Sequence, residues 1–568
     1  MISALLKKLR RTTAVVPDGI IVKSRRGGKP QSRIVMAMGL FLGIFGVIGG
    51  RLVQFGLTDE TTGSIGKAGI LASRPDLLDR NGDVLATDIK TASLFAEPRR
   101  IIDADEAIEK LQTVLPTLDV EQTWNKLKSG TGFVWLKREL TPRQQAQIMA
   151  LGIPGIGFRT EKRRFYPGGP TASHIVGLVN IDNQGIAGLE KYIDDQGLAD
   201  LQSIGLADGA ALEPVRLSVD LRVQHIVRDE LEQAMDRYSA IAAGAVVLNA
   251  RTGEVVAMAS LPDYDPNNPF NALEKDRLNR MSAGVFEMGS TFKTFTTAMA
   301  LDSGKVNLNS KFDASRPITI GGFTINDFHG KRRVLSVPEI FIFSSNIGSA
   351  KEADAVGIAG HQEFLTRIGL LSRMQFELPE VATPTQPAEW KKLHSITIAF
   401  GHGVSTTPLQ TAVAAAALVN GGVLLPPTLL PRSPEQAAAI GVQVVRESTS
   451  DAMRYLFRLN VESGSGRRAD VPGYFIGGKT GTAEKVVKGR YSAEKRFNAF
   501  LSAFPLDDPE YVVLVILDEP KPEKGGGGAT AGSNTAPTVA AIVRRAAPML
   551  GVKPDFSQEG RALLSSTR

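Results

Sequence analysis

Residues 244–260 have the sequence GAVVLNARTGEVVAMAS, in which two runs of small and β-branched apolar residues flank Arg251-Thr252-Gly253. Apolar runs of this length around a glycine-containing turn predict a β-hairpin. Three more strand candidates come much later in the chain, namely YFIGGKTGT (474–482), NAFLSAFP (498–505) and YVVLVILDEP (511–520). Mainly helical sequence separates the two groups. This order predicts an α+β domain, in which both ends of the domain contribute strands to one antiparallel sheet and helices pack on it.

Composition and charge exclude several classes of function. The 568 residues include no cysteine, which rules out a disulfide scaffold, a cysteine nucleophile and a cysteine-ligated metal site. The net charge of +7 comes from residues 1–33, which hold nine lysines and arginines against the single acid Asp18. The rest of the chain is nearly neutral, so we expect no nucleic-acid partner. The six histidines lack the spacing of a zinc site, and we expect no metal.

An uncharged apolar run, IVMAMGLFLGIFGVIGG (34–50), follows the basic segment. As a helix it would be about 25 Å long, slightly less than a bilayer core. Arg51 can extend towards the lipid headgroups, which lets the span reach Leu57. Basic residues before such a run predict that this end is cytoplasmic. We therefore expect a basic cytoplasmic tail (1–33) and a single transmembrane anchor (34–57). The alternative is a cleaved signal peptide, but no convincing cleavage site follows the run.

The remainder of the chain is too long for one domain, since domains typically hold about 100–200 residues. Segment 58–215 is dense in turns and glycine, and we expect an elongated, irregular pedestal without a deep core of its own. Segment 216–550 contains the strand candidates and the helical sequence between them, and ends in a helix predicted at 536–550. Residues 551–568 form a C-terminal tail in this division of the chain.

The first chemical motif lies in FEMGSTFKTFTTAMALDSG (286–304), where Ser290 and Lys293 open an apolar helical run. A serine and a lysine three residues apart share one face of a helix. In the first turn, free backbone N–H groups and the helix dipole favour a developing anion. A serine hydroxyl needs an adjacent base to act as a nucleophile. Lys293 can be that base only if burial or a second cation lowers its pKa.

Two further motifs follow in order along the chain. In Ser344-Ser345-Asn346, the Ser344 hydroxyl can relay a proton, and Asn346 can bind both a substrate carbonyl and the lysine. In Lys479-Thr480-Gly481-Thr482, at a strand end, Lys479 supplies a second positive charge and Gly481 would let the strand approach a substrate closely. Ser-x-x-Lys alone is weak, since it also occurs at 64–67 and 492–495. The ordered set of three motifs is typical of penicillin-binding proteins and class A β-lactamases.

Longer stretches extend this likeness over most of the chain. They are DRNGDVLATD (79–88), YPGGPTASHIVGLVN (166–180), FEMGSTFK (286–293), FGHGVSTTPLQ (400–410) and GKTGTAEK (478–485). On these residues the chain resembles the class B penicillin-binding proteins, and most closely their division-type transpeptidases. The family usually has proline in place of Met288 and often tyrosine in place of His402, and neither departure touches a reacting group.

The resemblance implies a peptidoglycan D,D-transpeptidase, and assigns roles to the motif residues. Ser290 would attack the penultimate D-alanine carbonyl of a stem peptide, with Lys293 as base. Ser344 and Asn346 would manage proton transfer and peptide binding. Lys479, with Thr480 or Thr482, would hold the terminal carboxylate, and the backbone N–H groups of Ser290 and Thr482 would form the oxyanion hole. The resemblance thus implies five catalytic residues, Ser290, Lys293, Ser344, Asn346 and Lys479. It implies three substrate-binding residues, Thr480, Gly481 and Thr482.

The resemblance also implies a setting for this chemistry. It predicts a pedestal, or dimerisation, domain and a transpeptidase domain like that of serine β-lactamases, without an organic cofactor. β-Lactams would acylate the nucleophile. The catalytic domain would lie in the periplasm, anchored in the bacterial inner membrane, with a membrane-embedded glycan polymerase and other division proteins as partners. An elongation-type transpeptidase, a β-lactam sensor, a hydrolase and a non-catalytic scaffold remain alternatives.

Overall fold

A computed structural model of the protein describes residues 74–198, 212–487, 489–523 and 528–557, together with the isolated helical residues 43, 45 and 46. The predicted cytoplasmic tail, nearly all of the predicted anchor and residues 558–568 lie outside the described residues. The helices within the described ranges do not combine the length and apolar character that a membrane crossing requires.

The strands are numbered in chain order. They are β1 (Leu77–Leu78), β2 (Val84–Ala96), β3 (Val134–Leu140), β4 (Ile156–Phe165), β5 (Leu178–Val179), β6 (Gly185–Ala187), β7 (Val215–Arg216), β8 (Ala242–Asn249), β9 (Val255–Leu261), β10 (Lys311–Asp313), β11 (Ile318–Ile320), β12 (Phe323–Ile325), β13 (Val334–Ser336), β14 (Val423–Leu424), β15 (Val442–Gln443), β16 (Gly477–Val487), β17 (Arg490–Phe504) and β18 (Tyr511–Asp518).

The α-helices are numbered in the same way. They are α1 (Ala104–Val114), α2 (Val120–Leu127), α3 (Pro142–Ala150), α4 (Ser173–Val176), α5 (Gly188–Ile193), α6 (Leu221–Tyr238), α7 (Lys293–Asp302), α8 (Val337–Phe343), α9 (Asn346–Val356), α10 (Ile358–Arg367), α11 (Lys392–Ile398), α12 (Pro408–Val419), α13 (Pro434–Ile440), α14 (Glu447–Ser463) and α15 (Thr535–Ala546).

A five-stranded antiparallel sheet, in the order β16-β17-β18-β8-β9, forms the centre of the C-terminal half. Every residue of β8 is buried, because helices cover both faces of the sheet. Val246 and Leu248 pack on the face that carries α7 and α12, whereas Ala245 and Val247 pack on the face that carries α6 and α15. The predicted α+β domain, with one sheet built from both ends of its sequence, is confirmed.

The strand candidates at 244–260 and 474–520 are present, but β17 begins at Arg490, earlier than the sequence indicated. Beyond a bulge at Glu484/Lys485, β16 and β17 continue as a two-stranded ribbon. The ribbon residues are more polar than the sheet residues, which concealed them as strand. Strand β16 is at the edge of the sheet and pairs only with β17 among the described strands, so its other edge is open.

The N-terminal half contains its own mixed sheet, in which β4 and β3 pair with β2, and β1 joins β2 to β7. Our expectation that this segment lacks a deep core is wrong. Leu94, Leu111 and Leu140 are fully buried in a separate apolar cluster formed by β2, β3 and the helices α1–α3. Each of these helices has only a narrow apolar stripe, so the core exists only once they assemble on the sheet.

A buried ion network joins strands β2 and β4 of this N-terminal sheet to helix α5. Arg74 Nε donates to Glu190 at 2.7 Å, Arg164 Nε donates to the other oxygen of Glu190 at 2.6 Å, and Arg164 also contacts Asp88 at 3.2 Å. The side chains of Arg164 and Glu190 are fully buried. Charges this deeply buried are tolerated only when each has partners, so removing one member is costly.

Candidate active site

Ser290 lies in a short 3₁₀ turn, Gly289–Phe292, that leads directly into α7 at Lys293. Gly289 has a φ of +52°, and a Cβ at that position would lie 3.0 Å from the backbone of Thr482. The glycine therefore lets the nucleophile turn pack closely on β16. Ser290 is partly exposed. Its N–H is in the first turn, where no preceding helical carbonyl is available to accept it.

The second motif forms the junction between α8 and α9. Ser344 ends α8 in a left-handed conformation, with a φ of 56°, and Ser345 caps α9 by accepting from the N–H of Gly348 at 2.9 Å. This abrupt change of direction turns Ser344 and Asn346 towards the same lysine. Lys293 Nζ donates to the Ser344 carbonyl at 2.5 Å and to Asn346 Oδ1 at 2.7 Å, and lies 3.0 Å from Ser344 Oγ.

The third motif reaches the same hydroxyl from the sheet. Lys479 Nζ on β16 lies 3.0 Å from Ser344 Oγ and donates to the Thr480 carbonyl at 3.3 Å. It also lies 5.7 Å from the centroid of the Phe341 ring, a cation–π distance. Ser344 Oγ therefore lies between two lysine amines. The structure brings together three motifs that are separated by up to 189 positions in the sequence numbering, from Ser290 to Lys479.

Both lysines are almost fully buried, at 1 % exposure for Lys293 and 0 % for Lys479. Burial lowers the pKa of Lys293 to about 7, although the carboxylates of Asp327 and Glu352 act in the opposite direction. Burial also lowers the pKa of Lys479 well below its usual value, and the charge of Lys293 lowers it further. Two ammonium groups are therefore unfavourable here, and at least one amine is neutral near neutral pH.

The contacts of Lys293 fit a neutral amine as well as they fit an ammonium. A neutral amine has two N–H donors, for the Ser344 carbonyl and Asn346 Oδ1, and one lone pair, which can accept from the Ser344 hydroxyl. Lys479 can then donate to Ser344 Oγ. This arrangement gives a continuous path for a proton between the two lysines through one hydroxyl.

The remaining residues of the third motif have different neighbours. The hydroxyls of Thr480 and Thr482 contact, respectively, Ser465 Oγ at 2.6 Å and the N–H of Ala531 at 3.1 Å. A Cβ at Gly481 would lie 2.5 Å from the carbonyl oxygen of Met288. The absence of a side chain at Gly481 thus lets β16 approach the nucleophile turn, whereas we expected it to admit the substrate.

Asp327 is part of the site and was not found from the sequence. Its carboxylate accepts from Ser345 Oγ at 2.8 Å and from the N–H of Ile347 at 3.0 Å. The neighbouring carbonyl of Asn326 accepts from Asn346 Nδ2 at 2.8 Å. These bonds fix the amide of Asn346 so that its oxygen faces Lys293. An isolated Ile-Asn-Asp sequence some twenty residues before the second motif carries no pattern that would have revealed this.

In the part of the chain that the structure describes, no three histidine or acidic side chains gather in a way that could hold a metal ion. The groups that the three motifs bring together are hydroxyls, amines and backbone N–H groups. That set can activate a serine, stabilise an oxyanion and bind a carboxylate.

Comparison with known proteins agrees with this geometry. Residues 243–544 match the family described as penicillin binding protein transpeptidase domain, and residues 69–205 match the penicillin-binding protein dimerisation domain. A probable peptidoglycan D,D-transpeptidase FtsI of Caulobacter vibrioides is 38 % identical over 94 % of this chain and 91 % of its own length. A probable peptidoglycan D,D-transpeptidase PenA of Neisseria meningitidis is 34 % identical over 85 % of both chains.

A solved structure with a similar fold is penicillin-binding protein 3 of Mycobacterium tuberculosis in complex with aztreonam. Its sequence is 25 % identical, the superposition has a TM-score of 0.66, and the match covers 87 % of this chain and 98 % of the other. The similarity extends over the N-terminal sheet and the domain that carries the three motifs.

Proposed function

The chain belongs to the class B penicillin-binding proteins of the FtsI type, and from this premise we propose that it is a peptidoglycan D,D-transpeptidase acting through an acyl-enzyme on Ser290. The observation that carries the proposal is the position of Ser344 Oγ, 3.0 Å from both Lys293 Nζ and Lys479 Nζ, beside the turn that holds Ser290. That hydroxyl connects a candidate base to a second amine within one buried cluster.

In the proposed acylation step, Ser290 Oγ attacks the penultimate D-alanine carbonyl, and neutral Lys293 takes its proton. The pKa of about 7 for Lys293 supports this role, because about half of the amine is then free base at neutral pH. The oxyanion would be bound by the N–H groups of Ser290 and Thr482. The peptide C–N bond then breaks, and the leaving D-alanine amine takes a proton delivered through Ser344.

The open edge of β16 supports the proposed mode of substrate binding. An extended stem peptide could pair with this edge by β-augmentation. Asn346 could donate to the peptide, while Lys479 with Thr480 or Thr482 would attract its terminal carboxylate. β-Lactams would enter the same place and leave Ser290 acylated, as the name and ligand of the related M. tuberculosis structure suggest.

In the second half of the reaction, an amine from a neighbouring stem peptide would attack the acyl carbonyl and release Ser290. The product is a new amide bond, and the proton lost by the amine returns to Ser290 through Lys293. We favour the amine over water as acceptor because the relatives named above are transpeptidases.

We further propose that the protein acts at the division septum, since the Caulobacter relative carries the FtsI name. The basic tail (1–33) and apolar run (34–57) support a single-pass inner-membrane anchor with the catalytic domain in the periplasm. The N-terminal sheet and helices would contact a membrane-embedded glycan polymerase and other division proteins. Membrane fractionation of the full chain and of a chain without residues 1–57 tests the anchor, since only the full chain should sediment with membranes.

The activity itself can be tested with a synthetic donor, an acylated D-alanine whose carbonyl forms a thioester, and with a D-amino acid as acceptor. A transpeptidase forms the new amide, whereas a hydrolase releases the free acid. A sensor would retain a long-lived fluorescent penicillin adduct without turning the donor over, and a scaffold would not be labelled at all. Each of the last three results would contradict the proposed reaction.

A further inference from the structure

Glu352 on α9 is a buried carboxyl group that the proposed mechanism does not use. Its side chain is 0 % exposed, and no arginine or lysine forms a salt bridge with it among the described residues. Its one hydrogen-bonding partner there is Thr297, whose hydroxyl lies 3.0 Å from Oε2, while Oε1 has none. Glutamates are almost never fully buried without a charged partner. Glu352 is thus a fully buried carboxyl group with a single hydroxyl partner among the described residues.

The surroundings of Glu352 are an unusually polar interface between α7 and α9. Thr294 and Thr297 lie on α7, one and four residues after Lys293, and Ser349 and Glu352 lie on α9, three and six residues after Asn346. Thr294 Oγ1, Ser349 Oγ and Glu352 Oε1 are all buried without a hydrogen-bonding partner. Buried polar groups without a protein partner can be satisfied by water or, for a carboxyl group, by a proton.

This interface is continuous with the base of the proposed mechanism. Asn346 at the start of α9 accepts from Lys293 Nζ at 2.7 Å, and Thr297 lies one turn beyond Lys293 on the same helix. Lys293 is the charged group that acts on Glu352 through space, and Glu352 acts on Lys293 in return.

Asp327, which contacts the N-terminus of α9, also raises the pKa of Lys293. The following ionisable side chains on other elements packed around α9 are neutral or have partners of their own. Burial lowers the pKa of His361 on α10 to about 4, so this side chain is neutral. The pKa of Glu339 on α8 is lowered to about 2 by its bond to Arg333. Lys392 on α11 is paired with Asp354 at 2.8 Å, and His394 contacts the Glu389 carbonyl.

We propose that Glu352 is a positioning residue for acylation: a buried acid that shares one proton with Lys293 across the α7–α9 interface, and thereby sets the pH range in which the lysine is a free base. The inference rests on the proposed role of Lys293. When the pair has lost one of its two protons, the proton that remains is either on Glu352, which leaves Lys293 free to accept from Ser290, or on Lys293, which prevents it.

The interface favours the productive arrangement. Ionised Glu352 would have one hydroxyl donor and no solvent, so burial raises the pKa of this carboxyl group to about 8. Below that value Glu352 is neutral and does not hold the proton on Lys293. As the pH rises further, Glu352 ionises, and its negative charge then favours the ammonium form of any Lys293 still protonated. The acylation rate should therefore rise with pH over a wider interval than one titrating group would give.

The test is the pH dependence of acylation of the full chain by a fluorescent penicillin, for the parent and for Glu352→Gln. Glutamine mimics the neutral acid at every pH, so acylation of the variant should rise over a narrower pH interval than that of the parent, with an apparent pKa lower by about half a unit to one unit. Thr297→Val removes the one donor to Glu352 among the described residues and should move the profile in the same direction. Glu363→Gln, an exposed site on α10, is the matched control and should leave the profile unchanged.

Infrared spectroscopy supplies a readout that does not depend on activity. At neutral pH the parent should show the C=O band of a protonated carboxylic acid, lost at alkaline pH and absent from Glu352→Gln. Absence of this band, or an unchanged width and apparent pKa in both Glu352→Gln and Thr297→Val, would overturn the inference while leaving the proposed function intact. A parent that penicillin does not acylate would overturn both.

Discussion

Replacing Lys479 by alanine should raise the apparent pKa of acylation, because it removes a positive charge beside the base. The two amines each lie 3.0 Å from the same oxygen, Ser344 Oγ, so they are at most about 6 Å apart. At that separation and an effective dielectric of about 20, a full charge on one amine raises the energy of a charge on the other by about 3 kcal/mol. That corresponds to about two pKa units.

The expected shift is smaller than this limit. Burial lowers the pKa of Lys479, which reduces the charge that it presents to Lys293, so we expect a rise of about one unit. Starting from a pKa of about 7 for Lys293, such a rise lowers the free-base fraction at pH 7 from about one half to about one tenth, or about five-fold. Because the free base is the active form, the part of the loss that comes from the pKa shift should disappear as the pH rises above 9.

The assay is the second-order rate of acylation by a fluorescent penicillin, measured from acid to alkaline pH. Lys479→Ala also weakens carboxylate binding and lowers the rate at every pH, so the apparent pKa, and not the amplitude, is the relevant measurement. Lys485→Ala is the matched control on the same strand, where the amine is paired with Asp518 at 2.7 Å. An apparent pKa that is the same in Lys479→Ala and the parent would refute electrostatic coupling of the two lysines.

Other substitutions test separate parts of the account. Ser344→Ala should lower the acylation rate about a hundred-fold or more, since it removes the proton path between the two amines. Asp327→Asn removes a charge that raises the pKa of Lys293, so the acylation profile should move to lower pH. Arg164→Ala leaves Glu190 buried with one fewer partner, and urea unfolding should show a loss of about 3–5 kcal/mol. An unchanged unfolding midpoint would contradict that role of the ion network.

The central sheet and the meeting of the three motifs followed from the sequence because they depend on local patterns. The hairpin around Gly253 and the three later strands are short apolar runs bounded by turn residues. The order of Ser290, Ser344 and Lys479 along the chain predicted one site. The structure brings Lys293, Ser344 and Lys479 into one hydrogen-bonded cluster, beside the turn that holds Ser290.

Other features depend on contacts between distant segments and could not be predicted locally. Asp327 contacts the second motif from a loop with no distinctive sequence. Glu352 is one of two acids on its helix, the other being Asp354, and its sequence position does not show that it is buried. The core around Leu111 forms from three narrow helical stripes, none of which is distinctive alone. The close approach of Gly481 to the Met288 carbonyl is visible only when strand and turn are seen together.

The most direct test of the account is to find which atom of the protein penicillin acylates. After reaction of the full chain, tryptic cleavage at Arg280 and Lys293 should release residues 281–293, and mass spectrometry should find the adduct there, on Ser290 and not on Ser282 or Thr291. Ser290→Ala should show no adduct and an unchanged thermal unfolding midpoint. An adduct on any other residue of the parent, or one that persists in folded Ser290→Ala, would contradict the assignment of Ser290 as the nucleophile.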